Sequence, residues 1–432
     1  MAKKPLPVVE LTLDRIIGGG QTIGTLEDGK KCLVWGGLPG ERIKVQLTKK
    51  KSSLVEGIVT EVITPSSERI APRDPSSYLS TSPWQIMALD TENHYKSALI
   101  EEAFELHDIV LPNPIQVWSD GVEYGYRNKV EYSFWYDTEA ETLDLAFFRR
   151  GTHGKISVVD TSLASSAINT SAKIVLDALR KLKIDGRTLK TLLIRSSASG
   201  SVAWQLYVKT PEFDAEGLLQ TIDDPALICG EIIYSNPKSP ASVITERLAA
   251  TSSEVLHDNI LNVPFSYATE GFFQINLPVY EQALRDMQKW VENKQVIDLY
   301  SGVGTIGLTI GGENVTLIEV NEHAVREMER NIDELDRAGA KAVLAASEDA
   351  LEHLNGDSTI ILDPPRAGLH EKVVQKLLEL APQRIIYLSC NPVTQARDVM
   401  MLADKYGIRH HCGYNFFPHT PHIEHLVVLD LK

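Results

Sequence analysis

The last third of the chain constrains the fold most, because short apolar runs and amphipathic stretches alternate there in a regular series. Strands are expected at Gln295 to Tyr300, Val315 to Glu319, Ala342 to Ala345, Thr359 to Leu362 and Arg384 to Ser389, with helices such as Glu322 to Leu335 and Glu371 to Leu380 between them. Strand–helix–strand repetition makes successive strands parallel and covers both faces of their sheet, so the pattern predicts a doubly wound, mostly parallel α/β sheet of Rossmann-like type. Two further apolar runs, Ile408 to Tyr414 and Ile423 to Leu431, have no helix-length segment between them. A terminal antiparallel hairpin accounts for them and brings the expected sheet to seven strands.

Upstream the pattern changes. Residues 6 to 64 hold short runs rich in Val, Ile, Leu and Thr, punctuated by Gly18-Gly19-Gly20, Asp28-Gly29, Gly36-Gly37 and Pro39-Gly40, which reads as a small all-β, OB-like barrel. Pro65-Ser66-Ser67 and Ala71 to Pro75 form a linker. From Asp74 to Pro264 the reading is α+β without a defined topology: Asn93 to Leu106 has helical spacing, whereas Lys129 to Trp135, Leu143 to Phe148 and Ser201 to Lys209 look like strands.

No stretch nears the roughly 18 unbroken apolar residues of a membrane span, and Met1 to Glu10 lacks the apolar middle of a secretion signal, so a cytoplasmic protein is expected. Cys32, Cys229, Cys390 and Cys412 are far apart and form no paired spacing, which signals neither a disulfide framework nor a zinc site. The net charge of -15 argues against nucleic acid only as an average. Residues 1 to 73 carry 12 Lys and Arg against 8 Asp and Glu, and Lys49-Lys50-Lys51 is a candidate phosphate contact, although a solvated hairpin loop reads the same way.

Between the first strand and helix of the α/β region, Asp298 to Gly307 places Gly302, Gly304 and Gly307 in a G-x-G-x-x-G turn that lets a ligand approach the backbone. Such a turn fits a dinucleotide or S-adenosylmethionine, and Glu319, ending the second strand, suits ribose hydroxyls in either. Asp298 before the turn and Asp363-Pro364-Pro365-Arg366 after the fourth strand resemble nucleic-acid methyltransferases and favour S-adenosylmethionine. Ser389-Cys390-Asn391-Pro392 ends the fifth strand, on the edge where open α/β sheets bind ligands. A thiolate there can add to carbon 6 of a pyrimidine and make carbon 5 nucleophilic; a base must later remove the carbon 5 proton, and Glu424 is the candidate. Asp363 could accept the uracil imide N–H or merely cap a helix.

Five ordered motifs then carry a specific resemblance: Phe272-Phe273-Gln274-Ile275-Asn276, the Asp298 to Gly304 turn, Asp363 to Gly368, Ser389 to Pro392, and Phe417 to Glu424. Residues 266 to 432 resemble the catalytic domain of the RNA uracil-5-methyltransferases, which make 5-methyluridine in bacterial ribosomal and transfer RNA. The resemblance implies Cys390 as nucleophile, Glu424 as proton acceptor, and Gln274, Tyr300, Gly302, Gly304, Thr305, Glu319 and Asp363 as the cofactor and uracil pocket. Phe272 is a candidate stacking partner for a flipped base, or else a core residue. The amino end is similar to the TRAM barrel that many members use to hold RNA, and Tyr126 to Glu131 resembles the start of their central domain.

The family architecture implies domains at 1–73, at 74–90 with 125–265, and at 91–124 with 266–432, in a protein expected to act as a monomer on 23S ribosomal RNA or, alternatively, transfer RNA. Many relatives bind an iron–sulfur cluster through three cysteines after the barrel and a fourth beyond the Tyr126 region. This chain has Ser76, Ser77, Ser80, Ser82, Thr161 and Ser162 in those segments, so a cluster-free member is expected, its central domain held by ordinary packing. No metal is expected at His410, His411, Cys412, His419, His422 and His425, given their strand-and-loop setting. Two other readings stand: an RNA-binding or RNA-folding protein with a vestigial catalytic domain, and methylation of an exocyclic amine. The latter needs no cysteine and usually places an aromatic residue where Arg366 stands.

Overall fold

A computed structural model describes residues 6–51, 53–152, 154–292 and 295–432; the first five residues of the expected 1–73 domain lie outside it. Strands Val8–Ile16, Thr22–Thr25, Lys31–Trp35, Leu54–Thr64 and Arg42–Lys50 close, in that spatial order, into a barrel. Alternation along the strands turns Leu11, Leu13, Cys32, Val34, Ile43, Val45, Leu47 and Val55 inward.

The middle of the chain forms a seven-stranded sheet, ordered Glu246–Ala250, Leu227–Tyr234, Val202–Val208, Leu189–Ser196, Lys129–Asp137, Thr142–Phe148 and Lys155–Val158. Helix Ser166–Lys181 covers one face, burying Ile168, Ala172, Val175 and Leu179 at helical spacing. Residues 74–85 are tied to Ser162 by hydrogen bonds as well as by packing. Asp74 Oδ2 accepts hydrogen bonds from Ser162 Oγ at 2.7 Å and from Gln85 Nε2 at 3.1 Å, while Gln85 Nε2 also reaches Ser82 Oγ at 2.7 Å. Serines at these positions, together with Asp74 and Gln85, close a polar knot between residues 74–85 and 162.

The carboxyl-terminal sheet is ordered Ala340–Leu344, Asn314–Glu319, Gln295–Leu299, Thr359–Leu362, Arg384–Ser389, Glu424–Leu431, Tyr406–Tyr414 and Val117–Trp118. It has the expected seven strands, with Glu424–Leu431 antiparallel to both neighbours, and an eighth of two residues recruited from the 91–124 segment. Strands Thr359–Leu362 and Arg384–Ser389 are buried along their whole length, as a parallel sheet covered on both faces requires. Helix Glu322–Glu334 starts at Asn321, whose side chain accepts from His323 N, and turns Val325 and Met328 inward. Helix Leu89–Glu105 lies against helix Pro392–Leu402 and buries Ile100, Ala103 and Phe104. The strand order reverses between Gln295–Leu299 and Thr359–Leu362, and a crevice opens beyond the carboxyl ends of the strands at that switch.

Candidate active site

The crevice is a cavity of about 1190 Å³. Among its lining residues are Tyr300, Gly302, Glu319, Asp363, Arg366, Cys390 and Glu424 from the strand ends, and Phe272 and Gln274 from the segment entering the domain. Register explains the convergence. Leu299 pairs with Ile318 and Leu362, and Ser389 pairs with His425, so the residues following or preceding these pairs emerge together along one edge.

At the first strand end the chain turns sharply, with positive φ at Tyr300 (65°), Gly302 (57°) and Gly304 (88°). Ser301 Oγ accepts from Ile318 N at 2.9 Å and donates to Asp298 O at 2.6 Å, stitching the turn to the second strand. Glu319 accepts from Gly302 N at 3.0 Å and from Asn321 N at 2.8 Å, which fixes its carboxylate at the cavity wall. A Cβ on Gly302 would meet nothing within 4 Å, so the space above the turn is open. Asp298 braces the turn from beneath: it is wholly buried and accepts from Gly307 N at 2.9 Å. Burial, reinforced by Asp363 and Glu319 and opposed by the Gly307 bond, pushes its carboxyl up to about 8.

Cys390, Asp363 and Glu424 line the cavity together. Burial, with the carboxylates Glu424 and Asp363 adding to it, pushes the Cys390 thiol up to about 11, against which Arg366 acts through its charge and a hydrogen bond. Burial moves Asp363 up to about 7 and Glu424 well above the usual carboxylate range, with Asp363 adding to the rise and Arg366 opposing it. Arg366 is held in turn by His422, whose Nδ1 lies 3.0 Å from its Nη2.

Phe272 is 68% exposed beside the cavity, which excludes the core reading for it and leaves an aromatic face available to a base. Asp363 does not cap the following helix; His370 does, through a bond from Lys372 N at 3.2 Å. Gly304 and Thr305 do not line the cavity. Gly304 precedes helix Thr305–Ile310, and the Thr305 hydroxyl meets Tyr280 Oη at 2.7 Å within the core. Lys49, Lys50 and Lys51 also lie away from the cavity, at the end of the barrel strand Arg42–Lys50, where Lys49 and Lys51 face Glu56 at 3.7 and 3.9 Å.

Sequence reasoning missed Arg127, Arg326 and His422 as lining residues. Arg127 and His422 stood inside motifs already singled out, whereas Arg326 on helix Glu322–Glu334 resembles any solvated charge. Among the described residues no group of three or more His, Cys, Asp or Glu is arranged to hold a metal. Cys412 lies in strand Tyr406–Tyr414, its Sγ 3.4 Å from Gly413 O.

Comparison with known proteins gives a concordant result. Residues 252–432 match the model of the tRNA (uracil-5-)-methyltransferase family. An uncharacterized RNA methyltransferase of Fusobacterium nucleatum is 27% identical, the alignment covering 98% of this chain and 96% of the relative. One from Enterococcus faecalis is 28% identical over 91% of this chain and 90% of the relative. The crystal structure of Pyrococcus abyssi tRNA (uracil-54, C5)-methyltransferase in complex with S-adenosyl-L-homocysteine superposes with a TM-score of 0.79 at 22% identity, covering 97% of this chain and all of that one.

Proposed function

We propose, from the match of residues 252–432 to the model of the tRNA (uracil-5-)-methyltransferase family, that the protein methylates carbon 5 of a uridine in structured RNA through a covalent bond from Cys390. The observation that carries the reading is the meeting of Cys390, Asp363 and Glu424 with the glycine turn in one cavity. S-adenosylmethionine fits the groups present. Glu319 is set to accept ribose hydroxyls, the space above Gly302 is open, and the carboxyls of Asp363 and Glu424 suit a sulfonium cation. Gln274 and Tyr300 complete its wall. The cofactor supplies an electrophilic methyl group.

The chain's own residues do the rest. Phe272 offers a stacking face to the flipped base, and Asp363, ionised, accepts the imide N–H. Cys390 Sγ, as thiolate, bonds to carbon 6, and the displaced double-bond electrons make carbon 5 nucleophilic. After carbon 5 gains the methyl group, Glu424 takes its proton; those electrons restore the ring double bond and the carbon–sulfur bond breaks, returning the thiolate. Arg366 favours the charged sulfur throughout.

In this reading residues 1–73 hold RNA, with Lys49, Lys50 and Lys51 toward phosphate. Residues 74–90 with 125–265 form the central domain, and 91–124 with 266–432 the methyl-transferring domain, supported by the pairing of Val117–Trp118 with Tyr406–Tyr414. A TRAM-like barrel favours 23S ribosomal RNA as the target; transfer RNA is the second reading, favoured by the family description and by the Pyrococcus neighbour's substrate. Nucleoside mass spectrometry of ribosomal and transfer RNA from cells with and without the gene tests both. The expected result is loss of 5-methyluridine from large-subunit ribosomal RNA, restored by the wild-type gene and not by Cys390→Ala. Unchanged 5-methyluridine in both RNA classes contradicts the function, and loss confined to transfer RNA reassigns the target.

A further inference from the structure

The loop between the last two strands of the sheet, residues 415–423, delivers Glu424 to the cavity. Loops ordinarily run over the surface, yet Asn415, His419 and Thr420 are each 0–1% exposed. They are covered by helix Leu89–Glu105, from which Glu92 and Lys96, one turn apart and both fully buried, form an ion pair of 2.8 Å.

Both charges of the pair are spent on the loop. Lys96 Nζ donates to Asn415 Oδ1 at 2.6 Å and to Phe417 O at 3.2 Å. Glu92 accepts from Asn415 Nδ2 at 2.9 Å and from His419 N at 2.7 Å. The clamp thus grips the loop at its start and again five residues before Glu424. His419 is driven to φ 63°, a conformation that a non-glycine residue keeps only when its surroundings enforce it. Its ring stacks on Tyr124 with centroids 4.5 Å apart, Trp84 N donates to its carbonyl at 3.1 Å, and Tyr126 Oη donates to Pro418 O at 3.0 Å.

A buried ion pair is poor value for stability, since apolar residues of similar volume serve as well or better. Two fully buried charges aimed at one loop therefore call for a role in geometry. We propose that Glu92 and Lys96 are positioning residues for proton removal, holding residues 415–423 so that the Glu424 carboxylate meets carbon 5 of the adduct. The inference rests on the proposed methylation chemistry and adds to it a dedicated device for its last step.

The test uses the full chain and RNA from cells lacking the gene, labelled with uridine tritiated at carbon 5. The double variant Glu92→Gln/Lys96→Met keeps volume and neutrality while removing the Lys96 donors; Asn415→Ala removes the grip of both charges on the start of the loop and leaves the ion pair in place. In both, first-turnover methyl incorporation stays within about twofold, whereas tritium release falls roughly ten- to a hundredfold, the size expected of a misplacement near 1 Å. A denaturant-stable protein–RNA adduct accumulates, as it does more fully in Glu424→Gln. Tritium release at the wild-type rate overturns the proposal. So does a parallel fall of incorporation, adduct and release in both variants, the signature of lost folding or RNA binding. Cys390→Ala separates the two levels: if it still methylates, the chemistry itself is wrong; if it is inactive while the clamp variants behave as wild type, only the clamp is.

Discussion

At the scale of single residues, the proposed chemistry turns on the protonation of the Cys390 sulfur. With the thiol near 11, only on the order of one molecule in 10⁴ carries the thiolate at pH 7. The reactive form lies above the pKa, so alkylation of Cys390 by iodoacetamide, followed on its own peptide by mass spectrometry, should accelerate through neutrality with no plateau below about pH 10. Arg366→Ala should push the curve further alkaline, because Arg366 opposes the rise. A plateau below pH 8 would contradict this picture of the site. Cys390, Asp363 and Glu424 were readable from the sequence because each stands beside a strand whose end is fixed by its buried apolar run. Arg127 was not, because it reaches the cavity from the central region through a tertiary contact that no local pattern encodes.

At the scale of elements, agreement followed burial. Thr359–Leu362, Arg384–Ser389 and helix Glu371–Leu380 have the expected bounds, their apolar runs being cut off by prolines, polar caps or a left-handed Ala381. Ala340–Leu344 begins two residues earlier than expected, because it is a half-exposed edge strand without a strong apolar signal. Tyr300, read as the end of a strand, instead opens the turn at positive φ. Val117–Trp118 left no signal at all; it becomes a strand by pairing with Gly413 and Tyr414. The two glycines of the turn are predicted to differ in what they control. A Cβ on Gly304 would sit 2.9 Å from Leu308 and 3.1 Å from Met328 at φ 88°, whereas one on Gly302 would enter the open cavity. Gly304→Ala should lose about 1–3 kcal/mol of stability in chemical denaturation. Gly302→Ala should lose less stability and more affinity for S-adenosylhomocysteine by calorimetry, and the reverse order would contradict the assignment of the cavity floor.

At the scale of the molecule, the net charge of -15 is unevenly divided, residues 1–73 being basic and the remainder acidic. The barrel is not an isolated appendage. Trp84 Nε1 donates to Gly20 O at 3.0 Å, and a Cβ on Gly20 would fall 2.0 Å from Pro421, so a glycine turn of the barrel lies directly against the loop that carries Glu424. The central sheet joins the same site from the other side: Arg195, almost wholly buried, donates to the carbonyls of Ala268, Gly271 and Phe273 at 3.1, 2.7 and 3.2 Å and so fixes the segment bearing Phe272. Sequence patterning could not place these contacts, because they join residues far apart in the chain through side chains that look ordinary in isolation. The central claim remains the sulfur–pyrimidine bond, and RNA transcribed with 5-fluorouridine tests it directly, since fluorine at carbon 5 leaves no proton to remove and holds the adduct in place. With the methyl donor present, the wild-type protein should form a denaturant-stable complex whose digest carries a methylated fluorouridine on the Cys390 peptide, and Cys390→Ala should form none. Absence of that complex with an RNA whose ordinary uridine form is methylated, or its attachment to any other residue, would contradict the account.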